Sequence, residues 1–104
     1  MLNNITIMGR FVRDPEQRYT QTDKTVANFT LAVPRDADRD KTDFIDCVAW
    51  DKKADFVCNY FQKGQLAIVN GRLQIRSWED KDGNKRTSAE VVANNVYFGG
   101  GKDG

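Results

Sequence analysis

Side chains of alternating character recur with a period of two along much of this chain, and that pattern requires strands that bury one face and wet the other. From Asn4 to Val12 it sets Ile5, Ile7, Gly9 and Phe11 on one side and Asn4, Thr6 and Arg10 on the other. Gly9 inside such a run predicts a bulge or the close approach of another backbone. A second strand, Thr25 to Val33, turns Ala27, Phe29, Leu31 and Val33 inward and stops at Pro34. The third, Phe44 to Trp50, turns Ile45, Cys47 and Ala49 inward and Phe44, Asp46, Val48 and Trp50 outward. Leu66 to Trp78 is the fourth, with Leu73 and Ile75 expected inside and Arg72, Gln74, Arg76 and Trp78 outside. Asp82-Gly83 signals a hairpin turn into a fifth strand, Thr87 to Ala93, which Val96 to Phe98 either extends or leaves to cross one end of the structure.

Two stretches lack a period. Arg13 to Lys24 is polar, contains Asp14-Pro15, and reads as a long connection. Pro34 to Asp43 is rich in aspartate and reads as a solvated loop. After Asp51 the spacing changes to three and four, through Ala54, Val57, Cys58 and Phe61, which predicts a helix of about three turns that Asp51 can cap and Gly64 can end. The order of three strands, a helix and two strands, with a glycine-bent first strand, is that of an all-β OB-fold. This is a five-stranded Greek-key barrel whose helix, between strands three and four, plugs one end. Its ligand face lies on strands two and three. One domain, residues 1–98, accounts for the periodic part, and the glycine-rich Gly99 to Gly104 is expected to be disordered.

Composition narrows the chemistry. There is no histidine, and the two cysteines, Cys47 and Cys58, both fall on predicted core faces, so neither a zinc site nor a disulfide framework is expected. No serine sits in a nucleophile motif and no glycine loop cradles phosphate, which argues against an enzyme, and no cofactor is implied. The absence of a long apolar run argues against a membrane partner, and the start Met1-Leu2-Asn3-Asn4 carries no export signal, so a cytoplasmic location is expected.

The outward faces carry the functional signal. Trp50 and Trp78 both end their strands on the wet side, and Trp78 shares its face with Arg72 and Arg76. Aromatics interleaved with arginine form a platform for a stacked, negatively charged polymer. Residues 52–78 hold Lys52, Lys53, Lys63, Arg72 and Arg76 against Asp55 alone, whereas residues 34–51 hold three basic residues against six aspartates. A polyanion thus meets a mixed surface whose favourable half carries Trp78. Plainer readings stand beside this one. A tryptophan at a strand end can rest half-buried against a loop, Arg18 can be a solvated loop charge, and Lys52 and Lys63 can be ordinary helix-surface residues.

Several segments, in order, resemble the bacterial single-stranded DNA-binding protein family. They are Leu2-Asn3-Asn4-Ile5 leading to Met8-Gly9-Arg10, Asp14-Pro15-Glu16 with Arg18-Tyr19, and Val26-Ala27-Asn28-Phe29-Thr30-Leu31-Ala32-Val33. Asp43-Phe44-Ile45, Tyr60-Phe61 before Lys63-Gly64, Gly71-Arg72-Leu73, Arg76-Ser77-Trp78 and Glu90-Val91-Val92 follow. The resemblance runs from Met1 to about Phe98. It implies sequence-independent binding of single-stranded DNA on a homotetramer, in replication, recombination and repair. Phe44, Trp50 and Trp78 would stack on bases, and Arg18, Lys52, Lys63, Arg72 and Arg76 would contact phosphates.

Four departures from the family pattern bear on that expectation. Ala37-Asp38 stands where well-known members carry a further tryptophan, Asp46 where many carry a neutral or basic residue, and Ile45 where some place an interface histidine. The family's long tail with its acidic, hydrophobic tip is not in the sequence, which puts recruitment of replication and repair proteins in question. The competing expectation is an OB-fold protein-interaction or assembly subunit without strong DNA binding, which the near-neutral net charge of +1 and Asp46 favour.

Overall fold

Every predicted strand forms, and the computed structural model, which describes residues 1–100, adds one more. The strands are β1 (Ile5–Phe11), β2 (Glu16–Tyr19), β3 (Thr25–Pro34), β4 (Thr42–Trp50), β5 (Leu66–Glu79) and β6 (Lys85–Phe98), with α1 (Lys52–Tyr60) between β4 and β5. They hydrogen-bond in the order β1-β5-β6-β4-β3-β2, and a further β1–β3 pairing closes β1, β5, β6, β4 and β3 into a ring. All pairings are antiparallel except β4–β6, where Asp46, Cys47 and Val48 lie opposite Glu90, Val91 and Val92. This is the five-stranded OB barrel with its helix in the expected place.

The extra strand lies within the stretch read as a connection. All four residues of β2 are exposed, so no apolar alternation marks it, and its hydrogen bonds alone define it. It takes the edge of β3 from Thr25 to Asn28, next to the part at Leu31 and Ala32 that β1 occupies. Val96 to Phe98 continues β6, which pairs with β5 down to Ala67 across an irregularity at Asn70/Gly71.

The inward faces meet as the period requires. Phe11 stacks on Phe29 at 4.9 Å and on Phe61 at 5.2 Å, and Phe61 stacks in turn on Phe98 at 4.7 Å. Ala27, Leu31, Cys47, Ala49, Val69 and Val91 fill the rest of the barrel, and Ala54 and Val57 of α1 close one end. Gly9 marks a close approach: a Cβ there would sit 2.5 Å from the Ala32 carbonyl oxygen, across the seam where β1 meets β3.

Three expectations need correction. Asp51 begins α1 without capping it: its side chain makes no cap hydrogen bond, and its backbone lies at φ 56°, leaving only its carbonyl to accept from Asp55 N–H. Gly64 is not the helix stop. The helix ends at Tyr60 because Phe61 turns extended to reach the core, and Gly64, at φ 89°, serves a later turn whose N–H donates to Phe11 O at 2.8 Å. Leu73 and Ile75 are not buried but 42% and 59% exposed. The cause lies in the pairing, since β6 meets β4 only at Glu90 to Val92. Ile75, opposite Ala89, lies past that pairing, where β5 and β6 form a two-stranded arm, whereas Leu73, opposite Val91, lies at the root of the arm. Of the end expected to be disordered, Gly99 and Gly100 are described and Gly99 N–H donates to Leu66 O at 2.9 Å, while residues 101–104 lie outside the described residues.

Candidate nucleic-acid interface

The outward side chains of β2, β3, β4, β6 and β5 form one continuous face, and register sets their rows. Glu16, Asn28, Val48, Val92 and Arg72 lie opposite one another in sequence across the five strands, and Thr30, Asp46, Glu90 and Gln74 make the next row. Along β4 this face runs Phe44, Asp46, Val48, Trp50, and along β5 it runs Arg72, Gln74, Arg76, Trp78. Phe44, Trp50 and Trp78 are 67%, 40% and 45% exposed. Val48 is the exception on its face: it is buried although the period turns it outward.

A cleft of about 410 Å³ opens along this face, and Arg18, Trp50, Arg72 and Arg76 line it together with Val48, Val92 and Glu90. Three arginines and one tryptophan therefore line a single cleft. Each arginine is held in place. Arg18 Nε donates to Asn28 Oδ1 at 2.9 Å, and Arg72 Nη1 donates to Gln74 Oε1 at 2.9 Å. Arg76 lies 3.9 Å from Glu90 Oε2 and places its guanidinium carbon 5.8 Å from the Trp78 ring centroid, within cation–π range. Groups so oriented lose less freedom when they engage a ligand.

The middle of the face is acidic. Asp46 and Glu90 sit directly opposite each other in register. Asp46 Oδ1 accepts from the Thr30 hydroxyl at 2.9 Å, and Thr30 Oγ1 accepts from Arg13 Nη2 at 3.4 Å. Glu90, nearly buried, accepts from Gln74 Nε2 at 3.3 Å. Beneath them, burial first, then Asp46 and Glu90, push the Cys47 thiol up to about 12, so it stays protonated and unreactive at neutral pH.

Not every residue singled out in the sequence reaches this cleft. Trp78 lies farther out on the β5–β6 arm, opposite Arg86, which is tied to Asp80 at 2.9 Å. Phe44 stands toward the far end of β4, opposite Ala32. Lys52 lines a different depression, beside Phe56 and Tyr97 on the helix side. Lys63 follows the helix, where its backbone N–H donates to Asp14 Oδ1 at 2.8 Å. Asn28, Glu90 and Arg13 join this surface without being marked as candidates by the strand period. For Asn28 the signal was present, since Asn28, Thr30 and Ala32 alternate with the inward face of β3, whereas nothing local marks Arg13.

Comparison with known proteins bears directly on this surface. The model of the single-strand binding protein family matches residues 2–99. The single-stranded DNA-binding protein of Halalkalibacterium halodurans is 47% identical over 102 residues, covering 94% of this chain and 61% of that protein. Single-stranded DNA-binding protein 2 of Listeria monocytogenes is 45% identical over 103 residues, covering 94% and 64%, and single-stranded DNA-binding protein A of Bacillus subtilis is 44% identical over 102 residues, covering 94% and 59%. The chain thus spans less than two thirds of the length of these relatives.

Proposed function

The chain belongs to the single-strand binding protein family, and we propose that it binds single-stranded DNA by stacking and phosphate contact, without recognising a sequence motif. Bases stack on Trp50, Trp78 and Phe44, and phosphates meet Arg18, Arg72 and Arg76. One observation carries this reading: a single cleft gathers Trp50 with three arginines already oriented by Asn28, Gln74 and Glu90. Stacking accepts any base because every base has a π-face, and the arginines follow a backbone that is the same at each nucleotide. Lys52 and Lys63 lie outside the cleft and would meet DNA only where the strand continues around the molecule.

The protein acts as a binding protein, not as an enzyme, in replication, recombination and repair, within the cytoplasm and on the nucleoid. Among the described residues no helix is long and apolar enough to cross a membrane. It assembles as a homotetramer. Support comes from apolar side chains a lone chain leaves uncovered, namely Leu73 and Ile75 behind the arm and Met8 and Tyr97 on either side of Ile68. It comes also from β1, whose second edge is paired only at Arg10 and Phe11.

Fluorescence anisotropy with labelled oligo-dT and a duplex of equal length tests the binding. The single strand should bind more tightly, with affinity falling as salt rises. Equal affinity for the duplex, or no binding at low salt, contradicts the proposal. In that event a protein ligand that protects Trp50 and Trp78 would favour an interaction module instead.

A further inference from the structure

We infer that Glu90 is a positioning residue for DNA binding: although it puts a negative charge on an anion-binding face, it raises affinity by holding Arg72 and Arg76 ready for phosphates. The inference rests on the single-stranded DNA reading and adds to it a residue that acts through others. Glu90, nearly buried, lies opposite Gln74 in register, and Gln74 sits between Arg72 and Arg76 on the outward face of β5. Glu90 Oε1 accepts from Gln74 Nε2 at 3.3 Å, and Gln74 Oε1 in turn accepts from Arg72 Nη1 at 2.9 Å. The other oxygen, Oε2, lies 3.9 Å from Arg76 Nη1, and Arg76 reaches over the Trp78 ring. Both arms of this network end on one carboxylate. Asp46, across from Glu90 in register, is bonded instead to the Thr30 hydroxyl and orients neither arginine.

The direction of the bonds shows what the carboxylate contributes. It can only accept, so it turns the Gln74 amide NH2 toward itself and leaves the amide oxygen for Arg72. Arg72 and Arg76 each engage Nη1 in the network, which leaves their other guanidinium N–H groups for phosphate oxygens. A long side chain fixed before binding loses less freedom when the phosphate arrives. Repulsion is the opposing effect, and depth decides between them. The Glu90 side chain is 12% exposed and that of Arg76 56%, so a phosphate meets the guanidinium before the carboxylate paired with it.

Oligo-dT affinity at low salt, measured for Glu90→Gln, tests this, because the substitution removes the charge and keeps the size. A residue acting only as a charge would tighten binding when neutralised. The positioning role predicts weakening by about two- to tenfold, the freedom lost by one rotamer-rich side chain. The sign should reverse once both arms are cut: in a protein carrying Gln74→Ala and Arg76→Ala, adding Glu90→Gln should tighten binding, since only repulsion is left to remove. Unchanged or tighter binding by Glu90→Gln alone overturns the inference. Equal weakening in both backgrounds also overturns it, by showing a structural role and nothing more. Should Glu90→Gln not fold, Gln74→Ala decides, as it alters no charge and leaves the carboxylate in place: weaker binding supports the inference and unchanged binding overturns it. Failure of the native protein to bind oligo-dT overturns the DNA reading and the inference with it.

Discussion

Trp50 and Arg76 share the cleft but act through different physics, so their removal should leave different signatures. Trp50→Ala should weaken oligo-dT binding by about 1–3 kcal/mol with little change in salt slope, since stacking releases no counterions. Arg76→Ala should instead reduce the slope of log affinity against log salt by about 0.7, the value for one phosphate on a single strand. Affinity titrations at several salt concentrations separate the two. Asp80 is a residue of a different kind. The Asn84 backbone N–H first, then the Arg86 guanidinium, hold its carboxyl below the usual carboxylate range. A carboxyl with a folded pKa below its unfolded value stabilises the fold above that unfolded value, and the contribution fades as pH falls through the folded one. The turn at Asp82-Gly83 should therefore loosen on acidification below about pH 4, and Asp80→Asn should abolish that response. Hydrogen exchange at the Asn84 amide, whose donor bond goes to Asp80 Oδ1 at 2.9 Å, reads it.

At the scale of elements, the barrel's strands were legible because each has one apolar face, and the period of two exposes that in the sequence. What escaped had no such face. β2 is exposed throughout and is held by backbone pairing with β3, an interaction that leaves no side-chain signature. Leu73 and Ile75 are the opposite case: they carry the pattern of a buried face yet are exposed, Leu73 at the root of the β5–β6 arm and Ile75 beyond the β4–β6 pairing. The cleft was legible in part. Period placed Trp50, Arg72 and Arg76 outward, but only long-range pairing brings Arg18 to them and sets Asp46 against Glu90. The helix stop was missed because Phe61 is both the last residue of the apolar spacing and the first extended one. Its ring, stacked between Phe11 and Phe98, makes Phe61→Ala a cavity mutation expected to cost about 3–5 kcal/mol in denaturant unfolding.

For the molecule as a whole, a net charge of +1 hides a division between a basic, aromatic side and an acidic loop at 36–43. Arg35 and Asp43 close the base of that loop at 2.9 Å, so its remaining aspartates face solvent and resist a phosphate backbone. Assembly belongs to this scale too. If the arm's uncovered apolar side joins copies, replacing both Leu73 and Ile75 by serine should lower the mass measured by light scattering while the fold persists. No change in mass would remove that support for a tetramer. The central claim is that bases stack on the outward tryptophans. Replacing Trp50 by phenylalanine leaves Trp78 as the sole tryptophan, and the reciprocal change leaves Trp50. Titrating each single-tryptophan protein with oligo-dT should quench its intrinsic fluorescence to saturation at one common affinity range. Binding seen by anisotropy with neither tryptophan quenched would contradict the account.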